Sequence, residues 1–236
     1  MFHQPRMALF DLDGTLLDTL ADLARSMNEA LAEHGMGPVA TAEYRLLVGT
    51  GAQELARLAS RRSMLLAGLP GTEADERSRS LAPAIRETFR DTYATGWDKS
   101  TRAYPGVSVA LAALHRAGVP LGVLSNKPDP FTKKLTAHFF PDVPFATVEG
   151  ERNGVPRKPD PAAAGAALQS FGASAGDVAY FGDSGGDMAF ARNAGFVPVG
   201  VLWGFRSRDE LATEGAAVLL DTPKEIPSVF GIQERP

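Results

Sequence analysis

The 236-residue chain contains no cysteine. That absence removes disulfide scaffolds, thiolate nucleophiles and thiolate zinc sites, so any metal must be held by oxygen or histidine. Histidine is scarce as well: His3, His34, His115 and His138 are scattered among expected helices and the terminus, where they read as structural or solvated. No stretch approaches the roughly eighteen apolar residues needed to cross a bilayer, and Met1 to Arg6 lacks a signal-peptide hydrophobic segment. A cytoplasmic protein without a membrane partner is therefore expected. Neither positive nor negative charge is in large excess. The net charge is −4, and no run of Lys or Arg is dense enough for a nucleic-acid track. Arg61-Arg62 comes nearest and reads as a solvated helix face.

What the chain does have is 44% hydrophobic content, enough for a full core and a small second domain. Its most informative segment is Asp11-Leu12-Asp13-Gly14-Thr15, directly behind the apolar run Met7-Ala8-Leu9-Phe10. Side chains alternate along a strand, so Asp11 and Asp13 share a face while Leu12 turns into the core. Two acids this close repel unless a cation lies between them or one holds a proton. The same arrangement recurs late in the chain, where the run Asp177 to Phe181 ends in Gly182-Asp183-Ser184-Gly185-Gly186-Asp187. A third run, Val119 to Leu124, ends in Ser125-Asn126-Lys127. In a parallel sheet the carboxyl ends of strands share one edge, and ligands bind outside it where the strand order reverses. Acids, a hydroxyl and a lysine are expected to converge there.

From Leu20 to about Trp97 the pattern is helical. Leu20, Leu23, Ala24, Met27, Leu31 and Ala32 mark one apolar face that Gly35 stops. A short helix is expected over 41–47, another carries Leu55, Leu58 and Ala59, Leu69 to Thr72 is a turn, and a longer helix runs from about Glu73 to Tyr93. After Tyr104-Pro105-Gly106 helices and strands alternate, as in right-handed parallel α/β units. Val109, Leu111, Ala112 and Leu114 belong to a helix, Leu121–Leu124 to a strand, and Phe131–Phe139 to a helix. Phe145–Val148 follows as a strand, Pro161–Phe171 as a helix, Val178–Phe181 as a strand and 187–194 as a helix. Strands at 197–201 and 217–220 complete the pattern. The expected fold is α/β, a Rossmann-like doubly wound parallel sheet formed by residues 1–19 and 98–236, interrupted by an α-helical domain over 20–97.

The pentad at Asp11, Ser125-Asn126-Lys127, Arg157-Lys158-Pro159-Asp160-Pro161 and the Gly182 to Asp187 segment resemble, in order, the four motifs of the haloacid dehalogenase-like superfamily. The resemblance implies that Asp11 attacks phosphorus to give an aspartyl-phosphate. It implies Mg2+ held by the Asp11 and Asp183 carboxylates and the Asp13 carbonyl, with Asp187 acting directly or through water. Asp13 would be the general acid and base, and an aspartate there favours phosphate esters over halides or phosphonates. Ser125 and Asn126 would bind the phosphoryl group, and Lys158 would neutralise both Asp11 and the phosphoryl oxygens. On the residues alone, Ser125 reads equally as a helix N-cap. Thr15 either bonds phosphate or caps the next helix. Lys127 is assigned the lesser role, its alternative being a surface lysine.

The insert resembles the family's helical cap, which favours a small phosphorylated metabolite as partner. Within it, Tyr44 to Ala52 looks like the cap loop of phosphoglycolate phosphatases, where Arg45 could meet an anionic substrate end and Gly49 and Gly51 allow backbone approach. A plain helix break would also explain both glycines. Serine at 125, where that subgroup often has threonine, keeps the hydroxyl, while the region 60–80 follows no family pattern. The resemblance implies a Mg-dependent phosphatase, with 2-phosphoglycolate as best substrate. A sugar phosphomutase of the same superfamily and a non-catalytic phospho-acceptor regulator are the alternatives. The sequence specifies neither monomer nor homodimer.

Overall fold

The computed structural model describes residues 4–233, so His3 lies outside the described residues. In chain order the elements begin with β1 (Met7–Phe10), β2 (Leu17–Asp18) and α1 (Leu20–Glu33). The helices α2 (Tyr44–Leu47), α3 (Ala52–Leu66) and α4 (Gly71–Ala94) follow. Next come β3 (Arg102–Ala103), α5 (Val107–Arg116), β4 (Leu121–Pro128), α6 (Asp129–Phe139) and β5 (Thr147–Glu151). The chain closes with α7 (Gly165–Phe171), β6 (Val178–Gly182), α8 (Gly185–Asn193), β7 (Val197–Val201), α9 (Arg208–Thr213) and β8 (Val218–Leu220). Contacts divide it into two units, residues 19–102 and residues 1–18 with 103–236.

The larger unit is built on a six-stranded sheet in the order β5-β4-β1-β6-β7-β8, every pair parallel. β1 sits mid-sheet with all of Ala8, Leu9 and Phe10 buried, which is why the strand reads as a continuous apolar run rather than an alternating one. The chain runs outward from β1 through β4 to β5, then crosses back to β6 on the other side of β1 and continues to β8. The order therefore reverses at β1, and the crevice at its carboxyl end is where such folds bind ligands. Under the sheet, Tyr180, Phe190, Phe196, Leu9 and Ala167 form one buried cluster.

β4 is twice the expected length and includes Ser125, Asn126 and Lys127. Its pairing with β5 slips between Leu124, opposite Glu149, and Pro128, opposite Glu151. Three residues of β4, Ser125 to Lys127, thus lie opposite the single Gly150 of β5, and they leave the regular ladder while remaining buried. The expected strand at 145–148 lies two to three residues later, at Thr147–Glu151. In α5 the buried face is Val107, Ala110, Leu111 and Leu114, with Val109 exposed.

The smaller unit is helical. α1 buries Leu23, Ala24, Met27 and Leu31 as expected, but Ala30 replaces Ala32, which is exposed. α4 begins at Gly71, inside the expected turn, and runs through Pro83 without breaking. Asp22, buried on α1, is answered by the unit's other end. Its Oδ2 accepts the backbone N–H groups of Ser100 and Thr101, both at 2.8 Å, and the Thr101 hydroxyl at 2.9 Å. Arg61 and Arg62 are ion-paired to Asp75 and Glu43 on the unit's exterior. No described helix is long and apolar enough to cross a membrane.

Candidate active site

Asp11 follows β1 directly and Asp183 follows β6 directly, so adjacent parallel strands deliver them to the same edge. Asp187 joins them from the first turn of α8. Carboxylate oxygens of the three residues lie within 4.8 Å of one another, and all three side chains are buried. The Asp13 carboxylate does not join this group; it is turned to Lys127, whose Nζ lies 3.1 Å from each of its oxygens. Lys127 is thus no surface lysine. It is buried at the point where β4 leaves its ladder.

Lys158 enters from the loop before α7. Its Nζ lies 2.9 Å from Asp11 Oδ1 and 2.7 Å from Asp187 Oδ1. Asn126 fixes the backbone that carries it, since the Asn126 Oδ1 accepts the Lys158 N–H at 2.9 Å and the Asn126 amide donates to the Lys158 carbonyl at 3.1 Å. Ser125 accepts the Lys127 N–H at 3.3 Å and lies within β4, while the helix that follows is capped at Pro128. The N-cap reading of Ser125 does not hold. Thr15 caps no helix either, because α1 starts after Thr19; the Thr15 hydroxyl points to Asp183 Oδ1 at 3.3 Å.

Asp187 is held from both sides. Its Oδ2 accepts the Ser184 hydroxyl at 2.6 Å and the Ser184 N–H at 3.1 Å, closing a capping box that starts α8 two residues before the expected 187. Asp183 Oδ2 accepts the Phe205 N–H at 2.7 Å. Backbone closes in on this carboxylate. A Cβ on Gly14 would stand 2.3 Å from Asp183 Oδ2, and one on Gly204 would stand 2.2 Å from Asp183 Cβ. Nothing near Gly204 in sequence announces that approach, and the segment 202–207 was missed for that reason.

The electrostatics follow from three carboxylates and one touching ammonium. Burial, reinforced by Asp187 and Asp13 and opposed by Lys158, raises the Asp11 carboxyl to about 6. Burial, with Asp187 and Asp11 adding, pushes Asp183 well above the usual carboxylate range against the Phe205 N–H and Arg206. Burial alone lowers an ammonium, yet Asp11 and Asp187 hold Lys158 above its ordinary value. The group is short of positive charge and offers only oxygen ligands. That donor set fits a hard divalent cation such as magnesium; Asp11 Oδ1 accepts no hydrogen bond among the described residues and Asp183 Oδ1 only the 3.3 Å Thr15 contact, whereas the two Asp187 oxygens accept bonds of 2.7 and 2.6 Å.

The family profile of haloacid dehalogenase-like hydrolases matches residues 8–201. The chain belongs to that family. Among curated relatives it is 33% identical over 217 residues to the phosphoglycolate phosphatase of Pseudomonas putida, covering 92% of this chain and 76% of that protein. It is 35% identical to the phosphoglycolate phosphatase of Rhodospirillum rubrum, covering 92% and 87%. Among solved structures, a protein assigned as a phosphoglycolate phosphatase from Lactobacillus delbrueckii superposes with a TM-score of 0.86 at 29% identity, covering 97% of this chain and 99% of that one. This haloacid dehalogenase-like hydrolase is thus similar to the phosphoglycolate phosphatase group along nearly its whole length.

Arg45, Gly49 and Gly51 lie in the helical unit, Arg45 exposed on α2. Gly49 and Gly51 have φ of +121° and +92°, values that disfavour side chains, and this accounts for both glycines on backbone grounds. His34 meets the Thr88 hydroxyl at 3.0 Å at the end of α1, and His115 and His138 belong to α5 and α6. None of the three is among the residues around the carboxylates.

Proposed function

We propose that the chain is a magnesium-dependent phosphatase acting on a small phosphomonoester, 2-phosphoglycolate being the best single substrate, through an aspartyl-phosphate on Asp11. The observation that carries the reading is the Asp11 carboxylate at the carboxyl end of the central strand, with Lys158 at 2.9 Å and the Asp183 and Asp187 carboxylates beside it. When bound, magnesium would offset the repulsion between the carboxylate and a phosphate dianion.

Asp11 attacks phosphorus with one carboxylate oxygen, and the ester oxygen leaves with a proton from Asp13. Water then attacks the same phosphorus, Asp13 takes its proton, and Asp11 is released with inorganic phosphate. Lys127 keeps Asp13 turned away from the three-carboxylate group, so the two acids beside each other in sequence have different partners and different work. Lys158 screens Asp11, and Asn126 holds the Lys158 backbone in place. Ser125 supplies a hydroxyl donor for a phosphoryl oxygen.

The helical unit, taken as the cap, would contribute Arg45 to an anionic substrate terminus. A panel of phosphorylated metabolites assayed for phosphate release, with magnesium and with chelator, tests the reading. Release from 2-phosphoglycolate above other esters, lost with chelator and regained with magnesium, is expected. Arg45→Ala should raise KM several-fold for carboxylate-bearing esters alone. Sugar-phosphate conversion without release would replace the reading with a mutase, and no turnover of any ester would overturn it.

A further inference from the structure

The buried hydroxyl of Tyr180 has no part in the reaction just described, yet it reaches the same ammonium. Tyr180 is in β6, three residues before Asp183, and its ring is packed against Phe190 at 5.0 Å and Phe196 at 6.5 Å between centroids. The aromatic body belongs to the core. The hydroxyl leaves it, donating to the Leu124 carbonyl at 2.9 Å and accepting from Lys158 Nζ at 2.6 Å. Leu124 is the last residue of β4 before the pairing slips, so this bond also ties β6 to the point from which Ser125 departs.

An ammonium has three hydrogens. Lys158 makes aligned hydrogen bonds to Tyr180 and to Asp187, at 2.6 and 2.7 Å. Its contact with Asp11 Oδ1 at 2.9 Å is an ion pair, and that oxygen is not otherwise hydrogen-bonded among the described residues. Two hydrogens are thus committed and the third is not. We infer that Tyr180 is a positioning residue: with Asp187 it anchors the Lys158 ammonium on two legs, leaving one N–H to follow charge as it moves between the Asp11 oxygen and a phosphoryl oxygen. This rests on the reaction proposed above for its kinetic consequence, though the anchor itself does not. Without the hydroxyl, Lys158 gains a second uncommitted N–H and a choice of positions. An ammonium misplaced by a fraction of an ångström stabilises the developing charge less than a fixed one.

The test is Tyr180→Phe, which keeps the ring, alongside Phe196→Leu, which loosens the same aromatic cluster and leaves the hydroxyl in place. With magnesium and the best ester, Tyr180→Phe is expected to lose about tenfold or more in kcat with KM within about twofold. Phe196→Leu is expected to lower the melting temperature and keep kcat. A Tyr180→Phe kcat within twofold of the native value overturns the inference, and so does an equal kcat loss in Phe196→Leu, which would make the effect one of packing. A second readout is independent of turnover. Proton–nitrogen NMR of lysine ammonium groups should show a slowly exchanging Lys158 signal, assigned by its loss in Lys158→Met, that Tyr180→Phe broadens or removes. That outcome supports the anchor even in a preparation that hydrolyses no ester, where the proposed function alone would fail. Equal protection of Lys158 in both proteins overturns the anchor.

Discussion

Asp22 in the helical unit and Asp183 in the α/β unit are both almost wholly buried aspartates, 1% and 2% exposed, and their surroundings push them in opposite directions. Burial by itself raises Asp22, but the Ser100 and Thr101 N–H groups, the Thr101 hydroxyl and Arg25 outweigh it and lower the carboxyl below its ordinary value. Asp183 receives a backbone N–H and a longer hydroxyl contact, faces two further carboxylates, and is raised. The first arrangement satisfies a charge and ties the two ends of a helical unit together. The second leaves charge unsatisfied in a place where folding alone gains nothing from it. The contrast identifies which buried acids build the molecule and which await something from outside.

The largest expected effect removes the nucleophile. Asp11→Asn should cost about 10⁴-fold or more in turnover, measured as phosphate release, with the circular dichroism spectrum unchanged. Retained turnover would place Asp11 on the structural side of the comparison. Next in size, Asp22→Ala should destabilise the protein by about 2–4 kcal/mol in urea unfolding, because three donors lose a charged acceptor. A loss below about 0.5 kcal/mol would show that those donors find water instead.

The smallest effect concerns pH in chelator-treated protein. Asp11 is raised from 3.8 to about 6, so the stability linked to it is fully present below its unfolded value and is lost as pH rises through about 6. Asp22 is lowered, so its contribution is present above its unfolded value and is lost as pH falls through its depressed folded one. Without metal, Asp11→Asn should therefore melt a few degrees above the native protein at pH 7, and the gap should close toward pH 4. A gap that widens toward acid would reverse the sign assigned to Asp11.

Much of this was legible from one end of the chain to the other. The strand ends at Phe10 and Phe181 announce themselves because an apolar run and its acids are consecutive in sequence, and between residues 20 and 94 the apolar positions recur at helical spacing between glycine-marked breaks. What was hidden depends on partners far apart. Lys127 is expected at the sheet edge in a lesser role, with a surface position as its alternative, and nothing in either segment announces that it pairs with Asp13, 114 positions away. Thr15 finds Asp183 across 168 positions. The apolar run ends at Leu124, so the strand is expected to stop there, yet β4 continues through the polar Ser125-Asn126-Lys127 to Pro128 beyond the slipped pairing. The short α9 and the 3-10 helix over 223–230 lack the length that makes a period visible.

The pairing of β2 with β3 carries one more consequence. Because two-residue strands at 17–18 and 102–103 form their own small sheet, the polypeptide departs and comes back at points about 5 Å apart. A brief linker is long enough to bridge those two points, so a change of length in the intervening stretch calls for no change in the register of the central β1–β4 ladder.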